Sequence, residues 1–174
     1  MTVRPILIAP DPRLKVTCTP VERVDGDVRR LADDMLETMY ASEGIGLAAP
    51  QIGVSRRVIV VDCARTGEKP APMVLINPTI TWESEDEVSA SEGCLSFPEY
   101  FGDVSRPASV KVRYLDRDGR SQEIEAKNLL AVCIQHEMDH LDGVLFVDHL
   151  SALKRRIILR KLTKMKRAQE PVAV

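Results

Sequence analysis

The chain has 174 residues, a formal net charge of −2, 44% hydrophobic residues and 29% charged residues. That length suits one ordinary domain, which buries roughly two-thirds of the surface its unfolded chain exposes. The apolar content excludes a disordered chain, and the near-neutral charge argues against a protein that wraps duplex nucleic acid.

The start, Met1-Thr2-Val3-Arg4-Pro5-Ile6, has no basic segment leading into an apolar run, and no later stretch approaches about 18 uninterrupted apolar residues. The expectation is a cytoplasmic protein without a membrane partner. Cys18, Cys63, Cys94 and Cys133 are scattered without a paired framework, which in a reducing compartment predicts free thiols or metal ligands.

No repeat or long linker interrupts the chain, so residues 1–150 are expected to form one domain, with residues 151–174 a basic helix and tail of that same domain. The 3.6-residue spacing of Val28, Leu31, Ala32, Met35 and Met39 predicts a first helix over Val28 to Tyr40, with Asp27 as its cap. Gly44-Ile45-Gly46-Leu47-Ala48-Ala49-Pro50-Gln51-Ile52-Gly53 follows. Its small residues permit close approach of backbone to a ligand, but no Gly-Lys-Ser/Thr makes it a phosphate loop.

Short runs rich in β-branched residues predict strands at Val58 to Val61, Val74 to Ile76, Thr79 to Trp82, Val110 to Leu115 and Gln122 to Ala126. Asp116-Arg117-Asp118-Gly119 reads as the turn between the last two, so the sheet is expected to be mainly antiparallel. Pro70, Pro72, Pro78, Pro98 and Pro107 mark loops or strand edges. A second helix over Lys127 to Leu141 carries apolar groups round most of its circumference, which predicts burial, and Gly143 stands where a left-handed residue ends it. Ser151 caps a third helix with an apolar stripe of Leu153, Ile157, Ile158, Leu162 and Met165. The expected fold class is therefore α+β.

The second helix holds Gln135-His136-Glu137-Met138-Asp139-His140. Histidines four residues apart lie one turn apart and can face a single ion, with Glu137 beside them to handle a proton of the water the ion activates. The bland reading makes them core histidines with a paired glutamate, yet three polar groups amid an apolar helix are costly without a shared partner.

A hydrolytic site of this kind needs a third protein ligand. Phe146 stands where one large class places a third histidine, and Glu170, the only glutamate after His140, lies in a basic tail. Upstream thiolates are the alternative. Cys133 shares the histidines' face, but its side chain tilts toward the helix start, which suits a pocket wall better. Cys94 sits in Ser91-Glu92-Gly93-Cys94-Leu95-Ser96, where a glycine beside it permits close approach, and is the stronger candidate of the two.

Taken together, Gly44 to Gln51, Glu92 to Ser96 and Gln135 to His140 resemble, in order and spacing, the three signature motifs of peptide deformylases. The resemblance extends through Pro10 to Leu14 and Asp142 to Phe146, and so covers most of the chain. It implies an α+β fold, with antiparallel sheet round a buried metal-binding helix and a C-terminal helix of the common bacterial kind. It implies an enzyme that removes the formyl group from the N-terminal formylmethionine of new polypeptides and releases formate. Cys94, His136 and His140 would hold one divalent ion, Fe(II) in the first place, with zinc, nickel or cobalt as substitutes.

Glu137 would act as base and acid, with Gln51 and the Leu95 N–H as donors to the reacting oxygen. Ile45, Gly46 and Gly93 would meet the substrate backbone, while Leu129, Val132 and Cys133 on the metal helix are candidates for the methionine pocket. The stretch Phe97 with Glu99-Tyr100-Phe101-Gly102 departs from any fixed family pattern, which leaves preference beyond methionine open.

From Lys154 to Arg167 the chain is basic without an acid, a pattern that suits either a solvated face or docking on the ribosome by counterion release. The rival readings are a small metallopeptidase using the same glutamate, and a ribosome-associated module with a vestigial site.

Overall fold

Asp25 starts the first helix, α1 (Gly26–Ala41), by accepting hydrogen bonds from the Asp27 and Val28 N–H groups, donors that have no partner inside a helix. The cap is thus Asp25 rather than the expected Asp27. The computed structural model describes residues 1–170, and positions 171–174 of the expected tail lie outside the described residues.

Strands β1 (Gly46–Ala48), β2 (Val58–Val61) and β3 (Met73–Glu83) come next, then β4 (Glu87–Cys94) and β5 (Phe97–Pro107), then β6 (Ser109–Leu115) and β7 (Ser121–Lys127). Five of these form an antiparallel sheet in the order β1-β2-β3-β6-β7, and β4 and β5 pair separately.

The five-stranded sheet is covered on both faces. Val28, Met35 and Met39 of α1 pack with Val58, Val60 and Ile76 on one side. Helix α2 (Asn128–Leu141) packs Ala131, Ile134 and Leu141 with Ile59, Val61, Leu75 and Val112 on the other. This explains why β2 reads Val-Ile-Val-Val without alternation: its side chains point alternately into two apolar layers. Burying each such Leu, Ile or Val contributes about 1.5–3 kcal/mol.

The two predicted runs around Pro78 are halves of one strand, β3. Asn77 takes a φ of 51° there, and the pairing with β6 shifts register between Ile76 and Thr79. A proline cannot donate to the ladder, so the strand bulges past it.

The β4–β5 hairpin went unpredicted. Its inward face, Val88, Ala90, Glu92, Val104 and Arg106, contains two charged residues, which breaks the apolar alternation that marks a half-buried strand. Cys94 consequently sits at the end of a strand, beside the two-residue turn Leu95-Ser96, rather than in a free loop.

The end of α2 is fixed from outside. The Leu141 carbonyl accepts from the Cys18 N–H at 2.8 Å and from Arg57 at 3.3 Å. Gly143 follows with φ 71°, and a Cβ there would lie 2.5 Å from the Lys15 carbonyl oxygen, so both conformation and space demand glycine.

The short 3-10 turn Phe146–His149 leads to α3 (Ala152–Gln169), capped by Ser151 as expected. Ile158 and Leu162 are buried against Leu14, Phe97 and Phe146, whereas Leu153 and Ile157 of the expected stripe remain exposed. Among the described residues, no helix is long and apolar enough to cross a membrane.

Candidate metal centre and active site

Three donor side chains converge where α2 passes the end of β4. The Cys94 sulfur, one nitrogen of His136 and one of His140 lie within 4.8 Å of one another. The Cys94 Sγ to His140 Nε2 distance is 3.4 Å. Bonds of about 2.3 Å to sulfur and 2.0–2.1 Å to nitrogen, set at tetrahedral angles, space two donors about 3.6 Å apart, so the set fits one ion. Cys133, the competitor at sequence level, instead points its sulfur toward the Ile45 carbonyl at 3.5 Å and lines the adjacent pocket.

The two histidines lie in different electrostatic surroundings. Burial works against the charged form of His136, but hydrogen bonds with Cys94 and Glu92 and the charge of Glu137 outweigh it and raise its pKa well above the usual value. Glu92 Oε2 lies 2.9 Å from His136 Nδ1, which leaves Nε2 as the ring nitrogen on the side of Cys94. His140 is pushed well below the ordinary histidine value by burial and by the positive charges of His136 and Arg106, so it is the neutral form that a ligand must have.

Glu92 is itself held. Burial would raise its carboxyl, but hydrogen bonds from His136 and Arg106 bring it to about 2. Arg106 approaches it through Nε at 2.5 Å and Nη2 at 3.0 Å, and extends Nη1 to Asp139 at 2.9 Å. Arg106 and Asp139 escaped sequence reasoning as site residues. Two inward charges on one hairpin face are the signal that, with the strands known, would have paired Arg106 with Glu92.

Glu137 is 5% exposed, its Oε2 has no hydrogen-bond partner among the described residues, and its carboxyl is pushed up to about 7, chiefly by burial, with the charge of His136 opposing and that of Glu92 adding. A buried carboxylate oxygen without a partner is costly unless something else meets it there. The other wall is β1: a Cβ on Gly46 would lie 2.5 Å from Glu137 Oε1 and 2.8 Å from the Cys133 sulfur, so only glycine lets this strand approach the carboxylate.

Gln51 completes the floor. Its carboxamide oxygen accepts from the Ala48 N–H at 2.9 Å, which turns the NH2 group toward Ser96 Oγ at 3.1 Å and Cys94 Sγ at 3.5 Å.

A cleft of about 440 Å³ opens over this cluster, lined by Gly44, Ile45, Gly46, Gln51, Gly93 and Leu95 among others. A smaller, mainly apolar pocket of about 140 Å³ leads off it between Ile45, Ala90, Leu129, Val132, Cys133 and His136. The expected residues Leu129, Val132, Cys133, Ile45 and Gly93 all line this pocket, whereas Gly46 lines the cleft alone. Ala90 was not foreseen, because its strand was not.

One ion site beside a buried glutamate, under a cleft with an apolar side pocket, defines the class: a metal-dependent hydrolase. A family model described as polypeptide deformylase matches residues 3–156. A peptide deformylase of Rhizobium meliloti is 52% identical over the full length of both chains. That of Phenylobacterium zucineum is 57% identical, covering 97% of this chain and 99% of its own. Among solved structures, the peptide deformylase of Ehrlichia chaffeensis superposes with a TM-score of 0.92 at 41% identity, over 96% of this chain and 98% of its own. The enzyme of Legionella pneumophila gives 0.89 at 47%, over 98% and 100%.

The chain belongs to the polypeptide deformylase family, metal-dependent hydrolases that remove the N-terminal formyl group from newly made polypeptides.

Proposed function

We propose that Cys94, His136 and His140 hold a single ferrous ion, replaceable by zinc, nickel or cobalt, and that the described groups around it deformylate formylmethionyl chains. The observation that carries the assignment of roles is the unpartnered, buried Oε2 of Glu137 beside the three-donor cluster. A divalent ion there supplies Lewis acidity and makes the attacking water more acidic.

Glu137, buried beside the cluster, takes the proton from that water and holds it for the return step. Charge then develops on the formyl oxygen, where the Gln51 NH2 group and the Leu95 backbone N–H act as donors. Groups in that role are worth about 3–4 kcal/mol each in comparable hydrolases. The Ala48 hydrogen bond holds Gln51 in position beforehand, so no reorganisation is needed at the moment of reaction. Glu137 finally delivers the proton to the departing amine, and formate and a free N-terminus result.

The apolar pocket between Leu129, Val132 and Cys133 receives the methionine side chain. Among the described residues, β1 and β4 each have one edge without a partner strand, with Gly46 on β1, Gly93 on β4 and Ile45 just before β1. A substrate strand laid between them would join the two sheets.

The test is a side-by-side assay of formylmethionyl and acetylmethionyl peptides. The formyl compound is expected to turn over about ten- to two-hundredfold faster, the discrimination that one added carbon at the reacting group allows. Cleavage of the peptide bond in both would favour a metallopeptidase.

Residues 1–150 serve as the catalytic part of one domain, and α3 as its basic appendage working in the cytoplasm. Lys154, Arg156, Arg160, Lys161 and Lys164 are exposed on α3, whereas Lys166 is occupied with the Ile8 and Pro10 carbonyls. The exposed set suits ribosomal phosphates. Replacing Arg160, Lys161 and Lys164 with glutamate is expected to weaken co-sedimentation with ribosomes and to flatten its salt dependence. Unchanged binding at matched salt would remove the ribosome from the account.

A further inference from the structure

The 3-10 turn Phe146–His149 reaches the His136 ring in two ways. Phe146 stacks on that ring, with centroids 6.3 Å apart and planes 26° from parallel, and is held edge-on by Phe97 at 5.2 Å. Three residues later, His149 Nε2 lies 2.8 Å from Asp139 Oδ2, the same oxygen that accepts from Arg106 Nη1 at 2.9 Å. Arg106 grips Glu92 with its other nitrogens, and Glu92 faces His136 Nδ1. A continuous chain of hydrogen bonds therefore runs from a histidine at the surface, through Asp139, Arg106 and Glu92, to the candidate ligand.

We propose that His149 is a positioning residue for His136, and that this turn sets the orientation of the ligand ring from both ends of the chain of contacts. The inference rests on the metal-site reading above. A ligand imidazole must keep one nitrogen free and its plane fixed, which is the work of the group bonded to its other nitrogen. Glu92 performs this only while the Arg106 fork is fixed, and Asp139 is what anchors the arm of the fork that Glu92 does not. Asp139 has a side chain 27% exposed, so without His149 only Arg106 holds its carboxylate against the pull of solvent. Hydrogen bonds in series polarise one another, so loss of the outermost link is felt along the chain.

The test uses the nickel-loaded protein and the rate of nickel release to excess chelator at fixed pH. Removing a direct partner of a metal-bound histidine typically costs 10–100-fold in affinity. For His149→Leu, three links further out, release is expected to quicken roughly three- to tenfold, and His149→Gln, which keeps an N–H donor, is expected to restore most of the retention. Asp139→Asn is expected to act in the same direction, and adding His149→Leu to it is expected to bring no further increase. Should His149→Leu fail to fold, Asp139→Asn alone carries the same prediction.

Wild-type retention in His149→Leu, or multiplying effects in the double variant, would overturn the relay while leaving the metal site standing. A wild-type chain that holds no nickel would overturn both.

Discussion

Glu137→Gln is expected to lower kcat for deformylation by about a hundred- to ten-thousandfold, the range that a positioned acid–base group contributes, while metal content stays at the wild-type level. The substitution keeps the shape of a side chain packed against Gly46, so packing is preserved. It removes only the ability to take and return a proton. Metal analysis beside single-turnover kinetics separates this from a structural role: loss of metal along with activity would show that Glu137 holds the site together rather than performing the proton transfer.

Arg106→Met is expected to cost about 3–5 kcal/mol of stability, read from the midpoint of urea unfolding, because it leaves the buried Glu92 without the partner that offsets its desolvation. Glu92 is 6% exposed and Arg106 5% exposed, and between them they join β4, β5 and α2. His136 would remain beside Glu92 but is also needed for the ion, so the variant should lose metal faster as well. A cost below about 1 kcal/mol, the level of a surface ion pair, would show that Glu92 is satisfied without Arg106.

The helix that carries the chemistry was legible because its signals are local. Apolar groups round most of the circumference predict burial and Gly143 predicts the stop, and both hold in the fold; the two histidines one turn apart stand with Cys94 in a group able to hold one ion. The Asp116 to Gly119 turn was legible for the same reason: the Asp116 side chain accepts from the Asp118 and Arg120 N–H groups within the turn itself.

What escaped depends on pairing across distance. The β4–β5 hairpin hides its strands because serines and acids occupy its outer face and a glutamate and an arginine its inner one. Neither Arg106 nor Asp139 carries any mark in sequence of its link to His136, since Arg106 reaches that ring through Glu92 on another strand, and Asp139 through Arg106 and Glu92. Ala90 was invisible as a pocket wall until the strand beneath it was known.

The third ligand shows the boundary between the two cases. Side-chain tilt on the helix already favoured Cys94 over Cys133, and the strand end that brings Cys94 to 3.4 Å from His140 adds the distance that residue type and spacing lacked.

The most direct test of the account is formate release from a formylmethionyl peptide by protein purified without oxygen and loaded with ferrous ion. One formate is expected for each free methionyl N-terminus formed, with the peptide otherwise intact, and release abolished by a chelator and restored by added metal. A fully loaded protein that releases no formate, or that frees methionine by cutting the peptide bond instead, would contradict it.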